Sequence, residues 1–254
     1  MTKVRLLPGD YLELLASIRV FIILMVLSLN QINIIQPEAS QVLPDLPALS
    51  RATGRFRKGP GSSIELARET TLVEASTLIK PAAIWAKIEI SQNDSSKFPV
   101  WLAKKASRVE SVAGIVCTIG DQLENMSRKY FSVGQNTRGY ILDQVGSLAV
   151  ARLASQVAER LRRELNALYW APGDDTTDVT LSAQRWLFDL IPAQEIGVRL
   201  TGQNVMVPVK SLSFFLLIRT GQTGLKCAIP CQRCVWNGAC DQRLQKTSSG
   251  NSTA

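Results

Sequence analysis

The sequence predicts an α+β fold: mixed helices packed on a central, largely antiparallel twisted sheet, with a cysteine-rich metal-binding segment near the C-terminus. Three observations carry this. Helical periodicity and β-branched apolar runs follow one another without a regular βαβ rhythm, which segregates helices from strands. A hydrophobic content of 46% over 254 residues is enough to bury a sizeable core. Four of the five cysteines fall in CAIPCQRCVWNGACDQR, Cys227 to Arg243.

Taken in order, residues 1–35 read as helical and apolar, and residues 36–61 as a linker, because four prolines and the basic cluster RFRKGPG punctuate them. The run VFIILMVLSL (Val20 to Leu29) is strongly apolar but bounded by Arg19 and Asn30. A membrane span needs about twenty apolar residues, so this run is too short to cross alone. Lys3, Arg5 and Arg19 precede it as in a signal peptide, whereas Asp10 and Glu13 spoil a basic leader. A buried or partner-docking helix fits better, and the expected location is cytoplasmic.

Ser62-Ser63-Ile64-Glu65 fits a capping box, a hydroxyl three residues before a glutamate. It opens a helix with an apolar face of Ile64, Ala67, Leu72, Ala75 and Ile79, closed by Pro81. KIEI (Lys87 to Ile90) begins strand-like alternation, and VAGIVCTIG (Val112 to Gly120) suits a strand buried on both faces. Cys117 inside that run reads as a small core residue. From Ile141 to Leu165 the apolar residues Val145, Leu148, Ala149, Leu153, Val157, Leu161 and Leu165 recur at helical spacing. Gly146, Ala149 and Ala154 are small enough to admit a close neighbour. APGDD (Ala171 to Asp175) is a turn, SAQRWLFDLI (Ser182 to Ile191) a short helix, and VPVKSLSFFLLI (Val207 to Ile218) a strand. The implied division is an N-terminal helix and linker over 1–59, a working domain over 60–222, and a cysteine segment with a disordered polar tail over 223–254.

Composition excludes whole classes of chemistry. The chain contains no histidine, so Ser-His-Asp and Cys-His nucleophile systems and imidazole-bound zinc are impossible. The net charge of +8 raises nucleic acid as a partner. The basic residues are scattered, however, and no aromatics interleave with them to stack bases, so solvated faces account for them better.

The four thiols are spaced Cys227-x3-Cys231-x2-Cys234-x5-Cys240. Disulfides require an oxidising compartment. Structural zinc usually takes two CxxC-like knuckles across a longer loop, while here one CxxC and all four ligands share fourteen residues. A [4Fe–4S] cluster suits a short segment wrapping one inorganic unit and is favoured, with zinc as the alternative, since thiolates bind both. The first three spacings also match the radical S-adenosylmethionine motif. That motif precedes a long barrel, whereas twenty residues follow Cys234 here. Lys226, Arg233 and Arg243 offset the thiolate charge.

The run from GQNTRGYILDQVGSLAVARLASQVAERL through APGDD to IGVRLTGQNVMVPVKSLSFFLLI resembles the activation domain of vitamin B12-dependent methionine synthase, in its stand-alone, cysteine-tailed form. The matching features are Asp143, Gly146, Pro172-Gly173, Ile196-Gly197, Leu200-Thr201, Met206, Pro208, Lys210-Ser211 and Ser213. CTIGDQLE (Cys117 to Glu124) resembles the strand and turn before the long helix, and CDQR (Cys240 to Arg243) fits the tail. The resemblance covers about residues 60 to 243. It implies a domain that engages a corrinoid methyltransferase and helps return cob(II)alamin to service, by reduction coupled to methyl transfer from S-adenosylmethionine. A low-potential electron donor is the further partner implied, with cobalamin carried on the methyltransferase.

The family's adenosylmethionine motif is Arg-x-x-x-Gly-Tyr, with proline before the glycine. The corresponding positions here are Tyr169, Gly173 and Asp174, and Gly202 replaces the glutamate usual after Leu-Thr. A bidentate arginine anchor for the ligand carboxylate is therefore missing, and Asp174 repels that group. Tyr169, Pro172 and Gly173, with Trp170, line a planar-ligand pocket or, for the two aromatics, pack at the end of the long helix. Thr201, Lys210 and Ser211 bind a ligand or mark the edge of the last strand. Asp143 reads as a helix N-terminal residue rather than a catalytic acid. No catalytic residue is assigned. The absence of an acid/base pair suits a protein whose cofactors carry the chemistry.

Overall fold

Strand β1 (Ile32–Ile35) opens the computed structural model, which describes residues 32–54, 63–90, 110–165, 167–170 and 182–218. Helices α1 (Ala39–Val42), α2 (Leu46–Ala52) and α3 (Ser63–Leu78) come next, then strands β2 (Ala82–Glu89) and β3 (Ser111–Thr118). Helix α4 (Gln122–Ser132) precedes the long α5 (Asn136–Leu165) and strand β4 (Ala167–Trp170). Helix α6 (Ser182–Leu190) and a 3-10 turn (Ala193–Ile196) lead to β5 (Arg199–Leu200), β6 (Met206–Val207) and β7 (Ser211–Ile218).

Five strands form one sheet in the order β1-β2-β3-β7-β4, and every pairing is antiparallel. Strands β5 and β6 make a separate two-stranded ribbon. The α+β class and the antiparallel sheet are as the sequence predicts.

Why the central strands read as unbroken apolar runs is now visible: both faces of the sheet are covered. Ala113, Ile115 and Cys117 of β3 and Phe214, Leu216 and Ile218 of β7 share one core with α3, α4 and α5. The alternate residues Val112, Val116, Phe215 and Leu217 share a second core with Leu187 of α6 and Ile191 just beyond it. Gly114 sets the spacing on that second face. A Cβ there would stand 2.4 Å from Leu187 Cδ1, so the missing side chain lets α6 settle onto β3. On the first face Gly146 does the same for α4, since its Cβ would stand 2.6 Å from Leu123 Cδ2. The small-residue reading of α5 holds at Gly146.

Three readings change. Residues 32–35 are a strand rather than part of a helix. Ile32 packs with one core and Ile35 with the other, so the apolar INII follows the pleat, over a stretch too short for periodicity to tell strand from helix. Residues 36–54 are not a linker: Val42 and Leu49 are fully buried in the main core. Pro47 sits in the first turn of α2, and the Asp45 side chain accepts the Ala48 N–H at 2.7 Å. What looked like a proline break is a helix start. Helix α5 begins at Asn136 rather than Ile141, which puts Asp143 in its third turn instead of at its N-terminus. Tyr169 and Trp170 form part of β4, opposite Leu216 and Phe215.

The capping-box serine Ser62 and the whole of Val20–Leu29 lie outside the described residues. Among the described residues no helix is long and apolar enough to cross a membrane.

Candidate functional site

At one end of the sheet, the last residue of β3 and the first of β7 lie side by side, Thr118 opposite Ser211. The chain leaves β3 through Gly120, whose φ of 77° needs a residue free to adopt the left-handed region. Thr118 Oγ1 accepts both the Gly120 N–H at 3.1 Å and the Ser211 hydroxyl at 3.0 Å. Ser211 is thus a buried side chain that fixes the turn from β3 into α4.

Lys210 points to the opposite face. Its Nζ lies 2.8 Å from Asp143 Oδ1 and donates to Ser147 Oγ at 2.8 Å, both one turn apart on α5. The lysine side chain is 13% exposed. Gly146, between those two residues, clears the way, since a Cβ there would stand 3.5 Å from Lys210 Cε. One residue earlier, the Val209 N–H donates to Glu124 Oε2 at 2.8 Å, and Glu124 Oε1 accepts from Arg128. Lys210 and Glu124 together clamp the approach to β7 against α5 and α4.

Thr201 stands apart from this group. It closes the β5–β6 turn: its N–H donates to Val205 O at 2.9 Å, and its Oγ1 accepts the Val205 N–H at 3.1 Å. Asn204 holds a φ of 60° in the same turn. Tyr169 is placed by its backbone register on β4, next to β7. Pro172 and Gly173 lie outside the described residues, as do Cys227, Cys231, Cys234 and Cys240. Of the six expected ligand-binding residues, Lys210 and Ser211 are brought together, though on opposite faces of their strand.

Sequence reasoning passed over Glu124, Thr118, Ser147 and Ser213 as site residues. Thr118 and Glu124 were within reach, since both lie in the CTIGDQLE stretch. The Glu124–Arg128 and Asp143–Ser147 spacings of four are the only other local signals. Ser213, buried two residues after Ser211 on the same face of β7, has no hydrogen-bond partner for its Oγ among the described residues.

The arrangement provides no nucleophile and base. An ammonium already paired with Asp143 cannot take a proton from Ser147, whose hydroxyl donates to Asp143 O at 3.1 Å. Burial pushes the Cys117 thiol far above its ordinary range, consistent with an inert core residue. Among the described residues no group of His, Cys, Asp or Glu is placed to hold a metal ion. Away from the strand ends, Tyr130 donates to Glu74, which also pairs with Arg138 at 3.0 Å. Burial, and next the Glu74 hydrogen bond, raise the Tyr130 pKa.

Neither a family model nor a curated protein sequence matches the chain. Among solved structures, the chain is similar to a crystal structure of the MetH reactivation domain bound to AdoHcy. The TM-score is 0.54 at 12% identity, over 76% of this chain and 80% of that one. What the two share is the fold.

Proposed function

We propose that this chain is a stand-alone reactivation module for a corrinoid methyltransferase of the methionine synthase type, supporting the return of cob(II)alamin on that partner to service. The observation that carries the reading is the fold-level likeness to the MetH reactivation domain over 76% of the chain. The ordered motif series from Asp143 to Ser213 supports it independently. The solved neighbour was bound to AdoHcy, and for this chain the proposed adenosylmethionine contacts are Tyr169, Pro172 and Gly173, beside Thr201, Lys210 and Ser211.

Cys227, Cys231, Cys234 and Cys240 are the proposed holders of a [4Fe–4S] cluster. The donor chemistry fits: four thiolates within fourteen residues of a chain without histidine. Such a cluster, when bound, supplies single-electron transfer, with a low-potential donor as the second partner. The protein's own part is to present the segment beside the body that meets the corrinoid protein, with Lys226, Arg233 and Arg243 balancing its charge.

A second reading, a non-catalytic corrinoid-partner scaffold with structural zinc, is favoured by two observations. Lys210, Ser211 and Thr201 all spend their polar atoms on internal bonds, and the arginine expected at position 169 is tyrosine. Anaerobic purification separates the two. Iron, sulfide and broad visible absorption are expected, and Cys231→Ser is expected to abolish reduction of cob(II)alamin on a methionine synthase lacking its own activation module. A colourless protein with one equivalent of zinc and no such rate selects the scaffold.

A further inference from the structure

Two polar side chains are buried without a partner in the layer between α6 and the sheet. Ser213 lies on the same face of β7 as Phe215 and Leu217, which share the second core with Leu187 of α6. Gln184 lies on one helical stripe with Leu187 and Ile191, whose tips meet β3 over Gly114. Each residue is 9% exposed, and neither Ser213 Oγ nor Gln184 Oε1 has a hydrogen-bond partner among the described residues.

Buried polar atoms are almost always paired, because leaving one unpaired forfeits its bonds to water. The neighbouring hydroxyls obey this rule. Thr118 and Ser211, on the same face of the sheet, bond each other at 3.0 Å. Ser213 stands opposite Val116, which has no polar side chain to offer. Packing alone is served equally well by alanine at 213 and by an apolar residue at 184. A local rule broken twice in one layer marks a site that is completed from outside.

The layer also restricts what completes it. Arg68 and Glu124, the buried charged residues among those described, belong to α3 and α4, which pack on the other face. Lys210 points to that other face too and is paired with Asp143. A zwitterionic amino-acid group between α6 and β7 would therefore lack counter-charges. A nucleoside carries neutral donors and acceptors on both base and ribose, and the Trp186 ring, 5.8 Å from Phe215, supplies an aromatic surface beside them.

We propose that the α6–β7 layer receives the nucleoside part of an AdoHcy-type ligand, hydrogen-bonded by Ser213 and Gln184. This rests on the reading above and adds two contacts to it. The test is calorimetry of AdoHcy, adenosine and homocysteine on the full chain and on its Ser213→Ala and Gln184→Met variants, beside urea unfolding of each without ligand. Both variants are expected to bind AdoHcy and adenosine at least about fivefold more weakly. Their urea midpoints are expected not to fall, since each change removes an unpaired polar atom. A lowered midpoint shows that the group is bonded within the fold and overturns the proposal. So does a loss of affinity confined to homocysteine, which puts the contact at the amino-acid end. If the unchanged chain binds AdoHcy and both variants bind it as tightly, the reading above stands and this inference falls. If the unchanged chain binds neither AdoHcy nor adenosine, both fall together.

Discussion

Lys210 shows how a side chain picked for binding can be claimed by the fold. A lysine side chain held 13% exposed needs a polar partner at hand, and Asp143 Oδ1 at 2.8 Å is that partner. A ligand recruiting Lys210 must therefore displace Asp143 or bind both. Because Asp143 is itself 39% exposed, water screens the pair and moderates its worth. Replacing Asp143 with alanine is expected to cost about 1–2 kcal/mol in urea unfolding, mainly by leaving the largely buried Lys210 amine without its carboxylate. Lys210→Met in that background is expected to recover part of the loss, because the apolar stem still fills the space over Gly146. The cycle then gives a coupling of about 1 kcal/mol. Additive effects show instead that the contact contributes nothing.

Elements were legible where a pattern was long and one-sided, and illegible where two surfaces competed for the same residues. The α5 stripe and the β3 and β7 runs could be read directly, because each carries many apolar residues in a single period. Strand β1 could not, since four residues with three isoleucines fit either period. Helix α4 was hidden because its core residues Leu123, Ser127 and Tyr130 include a serine whose hydroxyl donates to Gly139 O at 2.8 Å. The ligand set was the least legible. Hydroxyls and lysines beside a strand look alike in sequence whether they face a ligand or tie a turn, as Thr201 and Ser211 do. Gly114 marks a contact that no periodicity reveals. An added methyl meets Leu187 Cδ1 at 2.4 Å and Ile191 Cδ1 at 3.2 Å, both flexible ends that can yield at some expense. Gly114→Ala is expected to destabilise by about 1–3 kcal/mol. The cost is expected to shrink in a Leu187→Ala background, where the new methyl occupies space the leucine vacated. Equal costs in both backgrounds would mean that α6 does not rest on β3 at this point.

At the scale of the molecule, the boundary at residue 59 suggested by the prolines cuts through the core. Residues 32–54 contribute a sheet strand, the fully buried Val42 and Leu49, and the buried Thr53. Arg68 of α3 donates to Thr53 Oγ1 at 2.9 Å and to Thr53 O at 3.2 Å. From α5, Arg152 donates to Leu43 O at 2.7 Å and Gln156 to Gln41 O at 2.8 Å. Each fully buried aliphatic side chain is worth about 1.5–3 kcal/mol, and removing the segment also leaves β2 as a bare edge with Ala83 and Ile84 uncovered. Against a typical total of about 5–15 kcal/mol, such a loss is not survivable for a cooperative fold. A chain starting at residue 60 is therefore expected to lose its near-ultraviolet circular dichroism and its sigmoidal urea transition, whereas a chain starting at residue 32 keeps both. Should the shorter chain unfold at the same urea midpoint as the longer one, residues 32–54 are an appendage and not part of the main core.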